Sequence, residues 1–158
     1  TRSNYASQDS YNLKNSELIA DNQNLYFSNN KNEFFSIELN TGSINWIQKI
    51  NSSLKPTLID NYIFTVSIEG FLIIIEKNSG NIIRSTDLFK KFDKKRLWNE
   101  KKIRDSLYPV GFIVGKNNIY LSTDIRILLD NLTSSIQPSY SRYHLRFYAK
   151  NLPYIRST

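Results

Sequence analysis

Apolar and polar positions recur along this chain with a period of about 40 residues. Each unit begins with an Asx turn, continues through an alternating strand and a more apolar strand, and then reaches an Asn-x-Gly turn and a last strand. The turn glycines Gly42 and Gly80 recur at nearly the same spacing as Asp21 and Asp60. Asn and Gly favour such turns because they tolerate positive φ. The pattern therefore predicts a repeated unit of short antiparallel strands.

The strands of the two units can be placed from the same pattern. Alternating apolar residues predict a first strand through Leu25 and Phe27, and another through Ile63 and Thr65. The other predicted strands lie at 34–39, 44–50, 71–75 and 82–88. Each unit has a further predicted strand just before the next Asx turn, at 54–59 in the first unit and at 108–114 in the second. We assign this strand to the unit that precedes the turn.

Four short strands in about 40 residues is the period of a β-propeller blade. We therefore predict an all-β fold with two to three antiparallel blades, in preference to an ordinary sandwich or meander. A third, degraded copy begins at Val114. The predicted organisation is an N-terminal segment at 1–16, blades at 17–124 and a degenerate blade or irregular tail at 125–158.

The run Leu39-Asn-Thr-Gly-Ser-Ile-Asn-Trp46 resembles the repeat of the pyrroloquinoline-quinone-like (PQQ-like) β-propellers, in which a strand leads into D-x-x-T-G-x-x-x-W. The second copy departs from that repeat, with Ser79 in place of Thr and Arg84 where Trp is expected. The resemblance covers roughly residues 17–124. It implies that the structural residues are Gly42, Trp46 and Gly80, with the Trp docking between neighbouring blades.

Two functional classes follow from the resemblance. One is a non-catalytic scaffold that mediates protein–protein interaction, similar to the lipoprotein of the bacterial outer-membrane β-barrel assembly machinery. The alternative is a fragment of a PQQ-dependent (quinoprotein) dehydrogenase. The scaffold class implies a periplasmic, membrane-associated setting and a protein partner such as a β-barrel assembly component.

Two to three blades are too few to close a ring, which typically needs four to eight. We therefore expect a fragment of a longer reading frame. The alternatives are assembly with copies of the same chain, or a largely exposed edge.

Composition removes most catalytic chemistries. The chain has 158 residues, no Cys and one His, so it has no thiol nucleophile, no disulfide framework and no Cys-ligated metal site. A Ser-His-Asp triad could use His144 alone, and the acids are scattered. We expect no catalytic residue, no metal site and no bound cofactor.

The net charge of +7 is concentrated in one segment. Residues 88–105 carry eight basic and three acidic side chains, so the rest of the chain nets only +2. This basic insertion, 88–107, makes the spacing from Asp60 to Gly115 much longer than the spacing from Asp21 to Asp60. Inserted loops of such length tend to be functional or disordered.

We expect the basic insertion either to protrude towards an acidic protein or an anionic membrane surface, or to pack its aromatic residues on the blade. Nucleic acid is a weaker candidate, since the remaining chain has no basic face. The candidate contact residues are Lys94, Lys95, Arg96, Trp98, Lys101 and Lys102.

Overall fold

Eleven short strands and two single helical turns account for the regular structure of the computed structural model. It describes residues 15–29, 31–93, 103–115 and 118–124, together with the backbone of 125 and 142–148. The strands are β1 Ile19–Ala20, β2 Asn24–Ser28, β3 Phe34–Glu38, β4 Ile44–Gln48, β5 Thr57–Ile59, β6 Tyr62–Val66, β7 Phe71–Glu76, β8 Ile82–Asp87, β9 Leu107–Val114, β10 Asn118–Ile125 and β11 Arg142–Tyr148. A 3-10 turn covers Lys90–Phe92, and the helical turn α1 covers Ile103–Ser106.

The strands form three antiparallel sheets. The first has the order β1-β2-β3-β4, the second β5-β6-β7-β8, and the third β11-β10-β9. The first two sheets share one register, because each has a β-bulge between its last two strands, after Ser36 in the first and after Ile74 in the second. The all-β, partial-propeller prediction is confirmed, and the bulges recur at equivalent positions of the repeat.

The Asn-x-Gly turns are equivalent bond for bond. The backbone N–H of Gly42 donates to the Glu38 carbonyl at 2.9 Å, and that of Gly80 donates to the Glu76 carbonyl at the same distance. The Thr41 hydroxyl donates to the Glu38 carboxylate at 2.7 Å, and the Ser79 hydroxyl donates to that of Glu76 at 2.6 Å. Both glycines have positive φ, +71° and +73°. Ser therefore replaces Thr without altering the turn.

Two apolar cores hold the sheets together in a stack. The first joins sheets 1 and 2, and its buried members are Tyr26, Phe34, Ile50, Ile63, Ile73 and Ile75. The second joins sheets 2 and 3, and its buried members are Phe64, Val66, Leu72, Ile74, Leu88, Phe89, Leu107, Ile119 and Leu121. Because side chains alternate along a strand, the second sheet uses one face for each core.

One assignment of strands to blades was wrong. The strand before each Asx turn pairs with the strand after the turn, so β5 is the first strand of the second sheet and not the last strand of the first. The same holds for β9, which pairs with β10. A two-residue turn such as Asp60-Asn61 makes these strands hairpin partners, and a local pattern does not reveal to which sheet a hairpin belongs.

The segment predicted as a degenerate blade or irregular tail contains a strand. Within it the backbone of β11 pairs with β10 in antiparallel register from Asn118 opposite Tyr148 to Asp124 opposite Arg142. The other residues of 126–158 lie outside the described residues, as do residues 1–14. The predicted domain boundaries stay a prediction.

Candidate functional site

The joint between the first two sheets is built around Trp46. This residue lies on β4, and its indole Nε1–H donates to the Lys77 carbonyl in the β7–β8 turn at 3.0 Å. A Cβ built on Gly80 would lie 2.6 Å from Trp46 Cδ2. The indole ring therefore rests on the glycine backbone, and any side chain there would displace it. Gln48 adds a second bond, from its Nε2 to the Gly80 carbonyl at 2.8 Å.

The other face of the indole lies against the apolar interior of the first sheet. The ring of Phe34 stacks on it with centroids 6.0 Å apart and planes 11° from parallel. The ring of Tyr26 is 6.2 Å away and tilted. Trp46 is thus enclosed by its own sheet on one side and by the turn of the next sheet on the other.

An ion pair reinforces the joint at the same turn. Lys77 Nζ lies 2.9 Å from Asp21 Oδ2, which belongs to the β1–β2 turn of the first sheet. Burial raises the pKa of Asp21, but the bonds from Lys77 and from the backbone N–H groups of Gln23 and Asn24 outweigh burial and lower that pKa to about 2. Asp21 is therefore charged under ordinary conditions, and its charge ties the first sheet to the second.

Gly42 occupies the equivalent turn of the first sheet, but no atom of the described residues lies within 4 Å of a Cβ built there. Of the three structural residues taken from the resemblance, the structure brings Trp46 and Gly80 into contact. It leaves Gly42 exposed at the start of the stack. Gly42 therefore serves the turn that it forms, whereas Gly80 serves both its turn and the inter-sheet contact.

The six candidate contact residues, Lys94, Lys95, Arg96, Trp98, Lys101 and Lys102, all lie outside the described residues. The flanks of their segment are described and well anchored. Arg104 on α1 donates through Nη1 to the carboxylates of Asp87 and Asp93, each at 2.7 Å. Its guanidinium also lies 5.9 Å from the centroid of the Phe71 ring. One arginine thus joins the two ends of the basic insertion.

The first apolar residues of the insertion belong to the core. Leu88 and Phe89 are buried between sheets 2 and 3, and Phe92 packs against them. Phe89 fills the space beside Gly70, where a Cβ would collide with the Phe89 ring. The aromatic residues of the insertion up to Phe92 therefore pack on the blade, as one of the two alternatives expected. The other alternative, a protruding insertion, now concerns only the residues after Phe92.

A cleft of about 490 Å³ opens between the first two sheets. It lies where β7 begins, at Phe71, and therefore at the strand ends opposite the β7–β8 turn that contacts Trp46. Its apolar lining includes Ile50, Phe71 and Ile73, and its rim carries Lys49 and Glu69 among other polar residues. Ser85 of the edge strand β8 also lines it. The cleft could take an apolar side chain beside that edge.

Among the residues that the structure describes, no three His, Cys, Asp or Glu side chains come together as a metal site would require. Across the same residues, every helix is too short or too polar to span a bilayer.

Residues 1–86 of the chain match a PQQ-repeat family model described as "Outer membrane protein assembly factor BamB". The chain belongs to this family. The match agrees with the repeat read from Asn40-Thr-Gly and Trp46, and it covers both sheets that share the equivalent turns. No curated protein matches the chain significantly.

Solved structures similar to this member of the family are propeller proteins of diverse function. They include BamB from Moraxella catarrhalis (12% identity, TM-score 0.48, covering 67% of this chain and 39% of that one). Quinohemoprotein alcohol dehydrogenase from Comamonas testosteroni is 13% identical, with a TM-score of 0.51 and coverage of 68% and 17%. A chain of the Saccharomyces cerevisiae assembly of Dbp5 with Nup159, Gle1, IP6 and ADP is 11% identical, with a TM-score of 0.56 and coverage of 84% and 33%.

At such identities the likeness concerns the fold alone. The chain spans less than half the length of each of these structures.

Sequence reasoning did not identify Lys77, Gln48 or Arg104. Each acts on residues distant along the chain: Lys77 reaches Asp21, Gln48 reaches Gly80, and Arg104 reaches Asp87. A Lys just before an Asn-Ser-Gly turn carries no local sign of an ion pair with an acid of another sheet. The one usable signal was the position of Gln48, two residues after Trp46 and therefore on the same face of β4.

Proposed function

We propose that this chain is a non-catalytic β-propeller scaffold that binds protein partners in the assembly of outer-membrane proteins, in the periplasm. The observation that carries the proposal is the family match over residues 1–86, whose description is an outer membrane protein assembly factor. A scaffold needs rigid surfaces, and the inter-sheet joint around Trp46 supplies a rigid support for them.

Edge strands are the first surface that supports partner binding. Among the described strands, β8 pairs with β7 alone, so one side of β8 presents its main-chain groups. Two large apolar side chains on β8, Ile82 and Ile83, are 46% and 50% exposed. A partner strand can add to such an edge by main-chain hydrogen bonds, with an apolar side chain entering the adjacent cleft.

The basic insertion is the second surface. Arg104 pairs with Asp87 and Asp93, so the described flanks of the insertion form a fixed base. We propose that Lys94, Lys95, Arg96, Trp98, Lys101 and Lys102 contact an acidic face of a β-barrel assembly component or an anionic membrane surface. Each basic residue near an anionic bilayer contributes about 1 kcal/mol.

Binding of the chain to purified β-barrel assembly machinery tests the proposal. The double variant Lys101→Glu/Lys102→Glu should weaken binding at least several-fold, and Ile83→Lys should do so through the strand edge. The matched control reverses two exposed lysines elsewhere, Lys31→Glu/Lys55→Glu, and should bind like the wild type. If both test variants bind as tightly as the wild type, the two proposed contact surfaces are contradicted. If the wild-type chain itself does not bind, the scaffold function is contradicted.

Vesicles containing anionic lipid separate the two partners proposed for the basic insertion. A membrane contact predicts that Lys101→Glu/Lys102→Glu reduces vesicle binding, whereas a protein contact predicts loss of binding to the machinery alone.

The alternative, a quinoprotein dehydrogenase fragment, predicts that the full-length protein takes up a quinone together with calcium. Calorimetric titration of the full-length protein with pyrroloquinoline quinone and Ca²⁺ should show no heat of binding if it is a scaffold. Saturable uptake would overturn the non-catalytic assignment and favour the enzyme.

A further inference from the structure

The cleft between the first two sheets lies where the chain leaves the first sheet. One wall consists of residues 49–51, which follow β4, together with Asn32 of the β2–β3 turn. The opposite wall belongs to the second sheet, where Phe71 and Ile73 of β7 supply apolar surface. The cleft is therefore enclosed by two sheets that the structure describes, within the stack and not at either of its ends.

Each residue of the first wall has an equivalent in the second sheet, in the register that makes Gly42 equivalent to Gly80. The β2–β3 and β6–β7 turns illustrate this register, because each contains a residue with positive φ, +64° at Asn32 and +85° at Gly70. The equivalent pairs are Lys49 with Asp87, Ile50 with Leu88, Asn51 with Phe89, and Asn32 with Gly70.

The second joint, between sheets 2 and 3, is filled at this place by the chain itself. Phe89 is buried there, and its ring lies against Gly70. Asp87 is paired with Arg104, whose Nη1 lies 2.7 Å from the Asp87 carboxylate. The chain thus supplies both an aromatic ring and an opposite charge where the second sheet meets the third.

The first joint has the equivalent backbone but neither of these groups. Asn51 stands where the second sheet has Phe89, and it lines the cleft of about 490 Å³, within the range of about 300–1,000 Å³ that is typical of ligand pockets. Lys49 stands where the second sheet has Asp87, so the charge is reversed, and no carboxylate of the described residues pairs with it. Glu69 already accepts a hydrogen bond from Asn51 Nδ2 at 3.2 Å. The cleft therefore has room for an apolar ring and a free positive charge beside it.

We propose that this cleft binds an aromatic side chain of a partner protein, while a neighbouring carboxylate of the same partner pairs with Lys49. The ring takes the place that Phe89 takes at the second joint, and the carboxylate pairs with Lys49 as Arg104 pairs with Asp87. Ser85 of the edge strand β8 also lines the cleft, so an extended segment can hydrogen-bond to that edge and place both groups. Such recognition rests on the proposed scaffold function and specifies the segments that are bound, namely extended ones with aromatic and acidic residues together.

Titration of the 158-residue chain with a capped strand peptide tests the proposal. The peptide carries one Phe and one Asp two positions apart, so that both side chains lie on one face. Nuclear magnetic resonance of the labelled chain should show saturable shifts at Ile50, Phe71 and Ile73. A peptide with Ala in place of Phe, or with Lys in place of Asp, should bind at least about fivefold more weakly.

The ring of the second joint can be introduced into the first. Asn32→Gly/Asn51→Phe reproduces the pair of Gly70 and Phe89, and it should abolish peptide binding because the cleft is then filled. Asn32→Gly/Asn51→Ala is the matched control, since it loses the same hydrogen bond to Glu69 but adds no ring, and it should bind like the wild type. Cooperative thermal unfolding of both variants shows that they remain folded.

Reversal of the rim charge tests the ion pair separately. Lys49→Glu should prefer the peptide with Lys to the peptide with Asp. Lys55→Glu changes an exposed lysine that does not line the cleft, and it should keep the wild-type preference. An unchanged preference in Lys49→Glu would overturn the proposed pairing.

Three other results would overturn the proposal: no saturable binding by the wild-type chain, equal binding of the peptides with Phe and with Ala, or wild-type binding by the filled variant. Binding to the β-barrel assembly machinery is measured separately. A chain that binds the machinery but not the peptide keeps the scaffold function and loses the aromatic cleft. A chain that binds the peptide but not the machinery supports the cleft and contradicts the role in outer-membrane assembly.

Discussion

The indole of Trp46 lies against the backbone of Gly80, which belongs to a later turn of the chain and to a different sheet. Its Nε1–H donates to the Lys77 carbonyl in the same turn. The contact joins two copies of the repeat through one large side chain and one residue that has none. Because the turn around Gly80 is itself repeated at Gly42, the chain contains an occupied and an open version of the same receiving turn.

Replacing Trp46 should weaken the joint in two separable steps. Trp46→Phe keeps an aromatic ring but removes the donor to Lys77, and should lower the free energy of unfolding by about 1 kcal/mol. Trp46→Ala also removes the packing against Phe34 and should cost about 3 kcal/mol. Urea unfolding followed by circular dichroism measures both. Equal costs would show that ring packing contributes nothing beyond the hydrogen bond.

Acid should weaken the joint through Asp21. Its pKa of about 2 in the folded chain lies below the ordinary value of 3.8. It therefore adds stability that is fully present above the ordinary pKa and is lost as the pH falls through 2. The full contribution is about 2 kcal/mol. Asp21→Asn should thus destabilise the chain by that amount at about pH 6 and by much less near about pH 2.

Asp60→Asn is the matched control for this prediction. Asp60 lies at the equivalent turn of the second sheet, where the structure shows no ion pair among the described residues. If Asp21→Asn and Asp60→Asn share one pH dependence, the ion pair with Lys77 does not stabilise the folded chain.

The base of the basic insertion should open when Arg104 is replaced. Hydrogen bonding to Asp87 raises the pKa of Arg104, so the guanidinium stays charged and remains paired with the carboxylates of Asp87 and Asp93. Arg104→Met should speed chymotryptic cleavage after Trp98 several-fold, because α1 loses its bonds to Asp87 and Asp93. Lys90→Met, an exposed change on the 3-10 turn, should leave the cleavage rate unchanged. Equal rates in the two variants would contradict the anchoring role.

Much of the fold could be predicted from local signals. The turns at Gly42 and Gly80 were predictable because Asn-x-Gly needs positive φ, and strands β3, β4, β7 and β8 were predicted to within about two residues at their ends. The pairing of β5 with β6 was not predicted, since hairpin membership depends on the stack. The sequence analysis placed no strand at β11, because the segment around it has no Asn-x-Gly turn that would mark where a strand begins.

The candidate site was only partly predictable, for a physical reason. Trp46 could be singled out because a large aromatic residue at a fixed distance from a turn glycine marks the repeat. Its partners could not, because Lys77 and Asp21 meet only after two sheets have stacked. For Phe89 the sequence left two alternatives open, a protruding insertion or one whose aromatic residues pack on the blade. Phe89 packs, because it is 1% exposed beside Gly70.

The central claim is that Trp46 and Gly80 fasten one repeat to the next, and a glycine comparison tests it most directly. Alanine at Gly42 or at Gly80 forces a side chain into positive φ, at about 1–2 kcal/mol in each case. At Gly80 it also meets the indole, which should add about 1–3 kcal/mol.

The decisive measurement is the free energy of unfolding of both alanine variants, with Trp46 present and with Trp46→Ala. Our account predicts that Gly80→Ala costs more than Gly42→Ala when Trp46 is present, and that the difference vanishes when Trp46 is absent. Equal costs in both backgrounds would contradict the joint.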